Sequence, residues 1–142
     1  MALSSLRPYF RTHLVALGYT EWKDGFNSEN IPSTGLHMSF FIAPGSGTTR
    51  KFNQADIEME VPISLEMRFK GYRNAQDAVD LAYEQAESII DRVCKASNRI
   101  GTAIKNVYPD GFSVERLDNT NDNASILVMN FTSLVILAPD DT

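Results

Sequence analysis

The stretch from Ile57 to Phe69, IEMEVPISLEMRF, constrains this chain more than any other. Ile57, Met59, Val61, Ile63, Leu65, Met67 and Phe69 are apolar, while Glu58, Glu60, Pro62, Ser64, Glu66 and Arg68 between them are not. A period of two over this length specifies a β-strand with one face turned to a core and the other to water or a polar channel. Burying each odd-position side chain contributes roughly 1.5–3 kcal/mol, so that face must be covered. The even face cannot be: its glutamates repel one another and do not tolerate burial without partners.

Pro62 sits at the centre of this strand and lacks a backbone donor, which points to a sheet edge or a bulge. A long edge strand invites uncontrolled pairing. Proline and charge can guard it in a monomer, or a neighbouring subunit can cover it, and head-to-tail copies that close into a ring remove all such edges. The residues leave both readings open.

With 142 residues, 43% of them hydrophobic, the chain has enough material for one compact domain. A net charge of -5 argues against holding nucleic acid by neutralising phosphates. The lone Cys94 excludes an intrachain disulfide framework, and an intracellular setting is expected. No apolar run approaches the ~18 residues of a membrane span, and Arg7, Pro8 and Arg11 interrupt what a signal peptide would keep apolar. No membrane association is expected.

Leu6, Phe10, Leu14 and Leu17 form a helical stripe, with Ser5 as N-cap, Pro8 in the first turn and Gly18 as the left-handed stop. A long connection rich in Gly, Pro, Asn and Ser follows, pinned by Trp22, Phe26 and Ile31. LHMSFFIA, Leu36 to Ala43, reads as a strand. The segment at about 44–56 reads as a flexible arm leading back into the alternating strand. From Asn74 as N-cap the spacing turns helical for about six turns, with Val79, Ala82, Ala86, Ile89, Ile90, Val93 and Ser97 inward and Asp80, Glu84, Glu87, Asp91 and Lys95 outward. Asp110-Gly111 reads as a turn before a short strand FSVERL. NTNDNA is a further turn, and SILVMNFTSLVIL, apolar on both sides in places, reads as an interior strand. The fold expected is a single α+β domain, a mainly antiparallel sheet of about four strands with two helices packed on one face.

Motifs that carry chemistry are weak. GSGTTRK lacks the spacing of a phosphate loop. His13 and His37 have no neighbours at ligand spacing and read as packing or surface residues, so no metal and no cofactor is expected. Cys94 borders the apolar face of the long helix as a small buried thiol. Glu58, Glu60 and Glu66 read as an alternating surface face and not as an acid-base pair. Arg50, Lys51 and Phe52 form a small basic and aromatic patch suited to an acidic neighbour. The sequons at Asn123 and Asn130 carry little weight without a secretory signal.

FNSENIPSTGLHMSFFI and DIEMEVPISLEMRFKGYRNAQDAVDLAYEQAESIID together resemble the tail terminator proteins of long-tailed bacteriophages. The resemblance implies a non-enzymatic virion protein at the head-proximal end of the tail, assembled in the host cytoplasm. It would form a homohexameric ring that caps the tail tube, stops its polymerisation and joins it to the head. Its partners would be copies of itself, the tail tube protein and a head-side neck or connector protein, with transient, non-specific passage of DNA. Glu58, Glu60 and Glu66 become candidates for the lumen, and Arg50, Lys51, Phe52 and Pro62 for contacts with a subunit or the tube. The alternatives are a neck or head-completion connector, and a small α+β enzyme or ligand-binding domain with a concave polar pocket.

Overall fold

The computed structural model describes residues 3–22, 37–43, 45–52, 57–70, 75–117 and 124–137. The alternating stretch is a strand, β4 (Ile57–Lys70), and it lies inside the sheet instead of at its edge. Around it stand β1 (Thr20–Glu21), β2 (Ser39–Ala43), β3 (Thr48–Phe52), β5 (Ile104–Leu117) and β6 (Ala124–Leu137). The six strands form one sheet in the order β1-β2-β4-β6-β5, with β3 also paired to β4. Only β1 and β2 run parallel.

The expectation of about four strands misses two. One is β1, too short to show a period; the other is β3, the Thr-Thr-Arg-Lys-Phe part of the segment expected as an arm, whose Thr48↔Glu60 and Phe52↔Ile57 register joins it to β4. Gly45 to Gly47 separate β2 from β3, and both pair along the same side of β4: β2 with Ser64–Arg68, β3 with Ile57–Glu60.

Pro62 falls in the break between them. A Cβ on Gly45 would stand 2.2 Å from the Pro62 carbonyl oxygen, so that carbonyl faces the break. The nitrogen of a strand residue points to the same side as its own carbonyl. The missing donor therefore lies where neither β2 nor β3 asks for one, and β6 pairs with β4 unbroken from Ile57↔Leu137 to Lys70↔Ala124.

Both helices cover the face that carries the odd residues of β4. In α1 (Leu6–Ala16), Leu6, Tyr9, Phe10, His13 and Leu14 are buried, Leu17 packs against them, and the Phe10 ring lies 5.6 Å from that of Phe131 on β6. Ser5 does not cap α1; it has helical backbone angles and belongs to a 3-10 turn, Leu3–Ser5, that carries the chain in. Gly18 is the stop: at φ +98° it lets its own N–H reach the Val15 carbonyl and the N–H of Tyr19 reach that of Leu14.

The second helix, α2 (Ala75–Val93), keeps Asp80, Glu84, Glu87 and Asp91 exposed and buries Ala78, Ala82, Ala86, Ile89 and Val93. The alanines let its backbone approach the sheet closely enough for the Ser125 hydroxyl on β6 to donate to the Ala78 carbonyl at 2.8 Å. It is shorter than expected, and Ser97 is exposed in a 3-10 turn beyond it, Ala96–Arg99. That turn folds back to serve the helix end: Asn98 donates to the Arg92 carbonyl at 2.8 Å and Arg99 to that of Cys94 at 2.9 Å, while Tyr9 from α1 donates to that of Val93 at 2.6 Å. The candidate cap Asn74, the anchors Phe26 and Ile31, and the NTNDNA turn lie outside the described residues.

Asp110-Gly111 does not end a strand. The pair forms a bulge within β5, between Pro109↔Phe131 and Gly111↔Asn130, so the strand continues for 14 residues. A bulge keeps the ladder while absorbing one residue, which a turn signal in the sequence cannot distinguish from a reversal.

Candidate functional site

The second face of the sheet, opposite the helices, carries the even residues of β4 and β6. Among the described residues, the three expected glutamates each meet a base there. The Lys105 ammonium from β5 lies 2.5 Å from a Glu58 carboxylate oxygen, Arg50 from β3 lies 3.8 Å from Glu60, and Arg68 lies 3.7 Å from Glu66.

Their surroundings differ. Glu58 is only 7% exposed, so its carboxylate is turned away from water and depends on its partners. The Glu60 and Glu66 side chains are 44% and 34% exposed. The face is also less polar than β4 alone suggests: Ile126, Val128 and Ile136 on β6 are half-buried and Leu134 is buried. Pro62 is exposed on the same face, while Lys51 and Phe52 pair through the backbone with Glu58 and Ile57.

Among the described residues three strands have an unpaired outer side, the two-residue β1 at one end of the sheet and two longer ones. One is β5, which pairs only with β6; Tyr108 to Ser113 along it are exposed. The other is the outer side of β3, which lies on the same side of β4 as β2 and β1. On the helix face next to β5, Phe112 is 43% exposed and Tyr83 of α2 is 54% exposed, with their rings edge to face at 5.7 Å. Sequence reasoning did not find this pair. Tyr83 sits among the acids of the outward face of α2, where an aromatic is the one residue that breaks the pattern, and Phe112 was obscured by the turn reading of Asp110-Gly111.

Near the other border, also on the helix face, lies an open groove of about 420 Å³ between the start of α1 and the β2-β3-β4 corner. Its lining includes Leu3, Leu6, Ile42, Met59, Val61 and Ile63, with Gly45 and Gly47 leaving its β3 side low and Arg7 its one charged member. Arg7 and Arg11 hold Glu21 of β1 at 2.9 and 4.0 Å, which fixes the start of α1 over the sheet.

No protein-family model matches this chain, and no curated protein matches it.

The two histidines are packing elements with defined roles. His13, buried, accepts a hydrogen bond at Nδ1 from the Arg92 guanidinium at 3.0 Å, and burial followed by that positive charge holds its pKa below the ordinary value. His37 accepts at Nδ1 from the Lys70 backbone N–H at 3.0 Å, with its pKa lowered by burial and by the Lys70 charge. Cys94 is half-buried against the core and burial pushes its thiol up, with Arg99 opposing. Among the described residues no helix is long and apolar enough to cross a membrane.

Proposed function

We propose that this chain is the subunit of a ring at the head-proximal end of a bacteriophage tail, a tail-terminator-like protein that caps the tube and leaves a channel for DNA. The observation that carries the reading is that β5 and β3, the two longer strands with an unpaired outer side, lie on opposite sides of the sheet, with exposed aromatic residues beside the first. Strand edges with apolar surroundings are templates for another chain, and copies added head to tail close into a ring when the rotation allows. The expected order of helix, strand, strand, helix, strand, strand is kept with β1 and β3 added before the second helix, which supports the reading.

In this reading the face bearing Glu60, Glu66 and Arg68 lines the channel. Its acids have bases beside them, so the wall would neither trap a DNA backbone as a basic channel does nor repel it strongly. Glu58, closed in by Lys105, would shape the wall from beneath. The tube protein and a head-side connector would meet the two ends of the ring.

Electron microscopy of the purified protein, alone and mixed with its tube protein, tests the reading. Rings of six-fold symmetry that arrest tube growth are expected; a protein that stays monomeric beside its tube overturns it.

A further inference from the structure

The two longer unpaired borders, β5 and β3, differ in sense and in apolar shape, and in each respect one answers the other. β3 runs antiparallel to β4, β4 antiparallel to β6, and β6 antiparallel to β5, so β5 and β3 point in opposite directions. Copies related by rotation about an axis along the strands keep their directions. β5 of one copy therefore meets β3 of the next as an antiparallel neighbour, the better-bonded arrangement.

Charge follows the same division on the face away from the helices. β3 contributes the exposed Arg50, 3.8 Å from Glu60, and its sequence adds a second base at Lys51, whereas β5 exposes Asp110, which accepts a hydrogen bond from Thr132, and Glu115. Of the basic residues of β5, Lys105 is held by Glu58, and Arg116, in register with Ser125, belongs to the helix face.

On the helix face the relation is one of shape. Tyr83 and Phe112 stand out beside β5, and the apolar groove opens beside β3, where Gly45 and Gly47 lack side chains to close it. Rotation keeps the helix faces of successive copies on the same side. The aromatic pair of one copy therefore arrives at the groove of the next when the two strands join.

We infer that the subunit junction is an antiparallel pairing of β5 with β3 of the next copy, with Tyr83 and Phe112 seated at the groove lined by Met59, Val61 and Leu6. The inference rests on the ring reading and specifies its contact. A sheet continued in this way becomes the wall of the ring, with helices outside.

A charge exchange tests it. Arg50→Glu with Lys51→Glu, and separately Asp110→Lys with Glu115→Lys, are each expected to weaken association of the full chain by about 10-fold or more. A mixture of the two variants should co-assemble, because in it a reversed β5 meets a reversed β3. Phe112→Ser, which touches neither set of charges, should weaken association as well. Mass in solution reads assembly, and circular dichroism confirms that each variant is folded. Folded variants that form rings as the native chain does overturn the junction and leave the ring reading standing. Loss in both variants without recovery in the mixture overturns it too. A two-fold dimer sensitive only to the β5 substitutions replaces it with β5-to-β5 pairing, and a native chain that stays monomeric beside its tube overturns junction and ring together.

Discussion

Lys105 reaches over β6 to set its ammonium 2.5 Å from the carboxylate of Glu58, joining two strands that are not neighbours in the sheet. The lysine is half exposed while the acid is largely out of water, so removing the base costs more than a surface ion pair would. Lys105→Ala is expected to destabilise the chain by about 1–3 kcal/mol. Arg50→Ala, which loosens the exposed contact to Glu60, should stay within about 0.5 kcal/mol. Denaturant unfolding of the two variants compares them directly, and equal effects would contradict the difference in burial.

Gly45 is required by proximity. A methyl group there would meet the Pro62 carbonyl at 2.2 Å, a backbone atom that cannot turn aside. Gly45→Ala should cost about 1–3 kcal/mol by forcing the strands apart. A methyl group at Gly47 comes nearest the flexible end of the Met59 side chain, at 3.3 Å, and its other neighbours lie at ordinary contact distance, so Gly47→Ala should cost less. Melting temperatures of the two variants, in that order, check the argument.

Stability should fall as the solution becomes acidic. His13 and His37 are both held below the ordinary 6.5 in the folded chain, each accepting a hydrogen bond at Nδ1. The unfolded chain takes up protons that the folded chain refuses, so their contribution is complete above about pH 6.5 and declines as pH drops through that value towards the folded pKa. A melting curve measured from pH 7.5 down should show this decline, and His13→Gln should flatten it. A slope unchanged in that variant would assign the effect elsewhere.

The Ser133 hydroxyl is fully buried on β6 and has no hydrogen-bond partner among the described residues. An unmet buried donor costs free energy that alanine does not incur. Ser133→Ala is therefore expected to be neutral or to stabilise by up to about 1 kcal/mol, whereas Ser125→Ala, which breaks the bond to Ala78, should destabilise by about 1 kcal/mol. Chemical denaturation resolves the contrast in sign.

The fold was legible where period and burial agree. The odd residues of β4, the stripe on α1, the Gly18 stop and the outward acids of α2 were readable because each follows from a repeat length or a required backbone angle. Pro62 was misread as an edge signal, since a sequence cannot show that two short strands share one side of a longer strand and leave a gap for it. The turn reading of Asp110-Gly111 failed because the same residues serve a bulge and a reversal, and with it went the length of β5 and the exposure of Phe112. Of the candidate site, the acids of β4 could be placed on one face, but Lys105 lies 47 residues from Glu58, and no local pattern announces that partnership.

The break between β2 and β3 leaves β4 zipped on one flank by two separate short teeth. Loss of the β3 tooth would not unfasten β2, whose five registered residues end beyond the gap. β3 can thus peel away and re-engage by itself while the sheet behind it holds, so that amides of Thr48–Phe52 should exchange with solvent ahead of those of Ser39–Ala43.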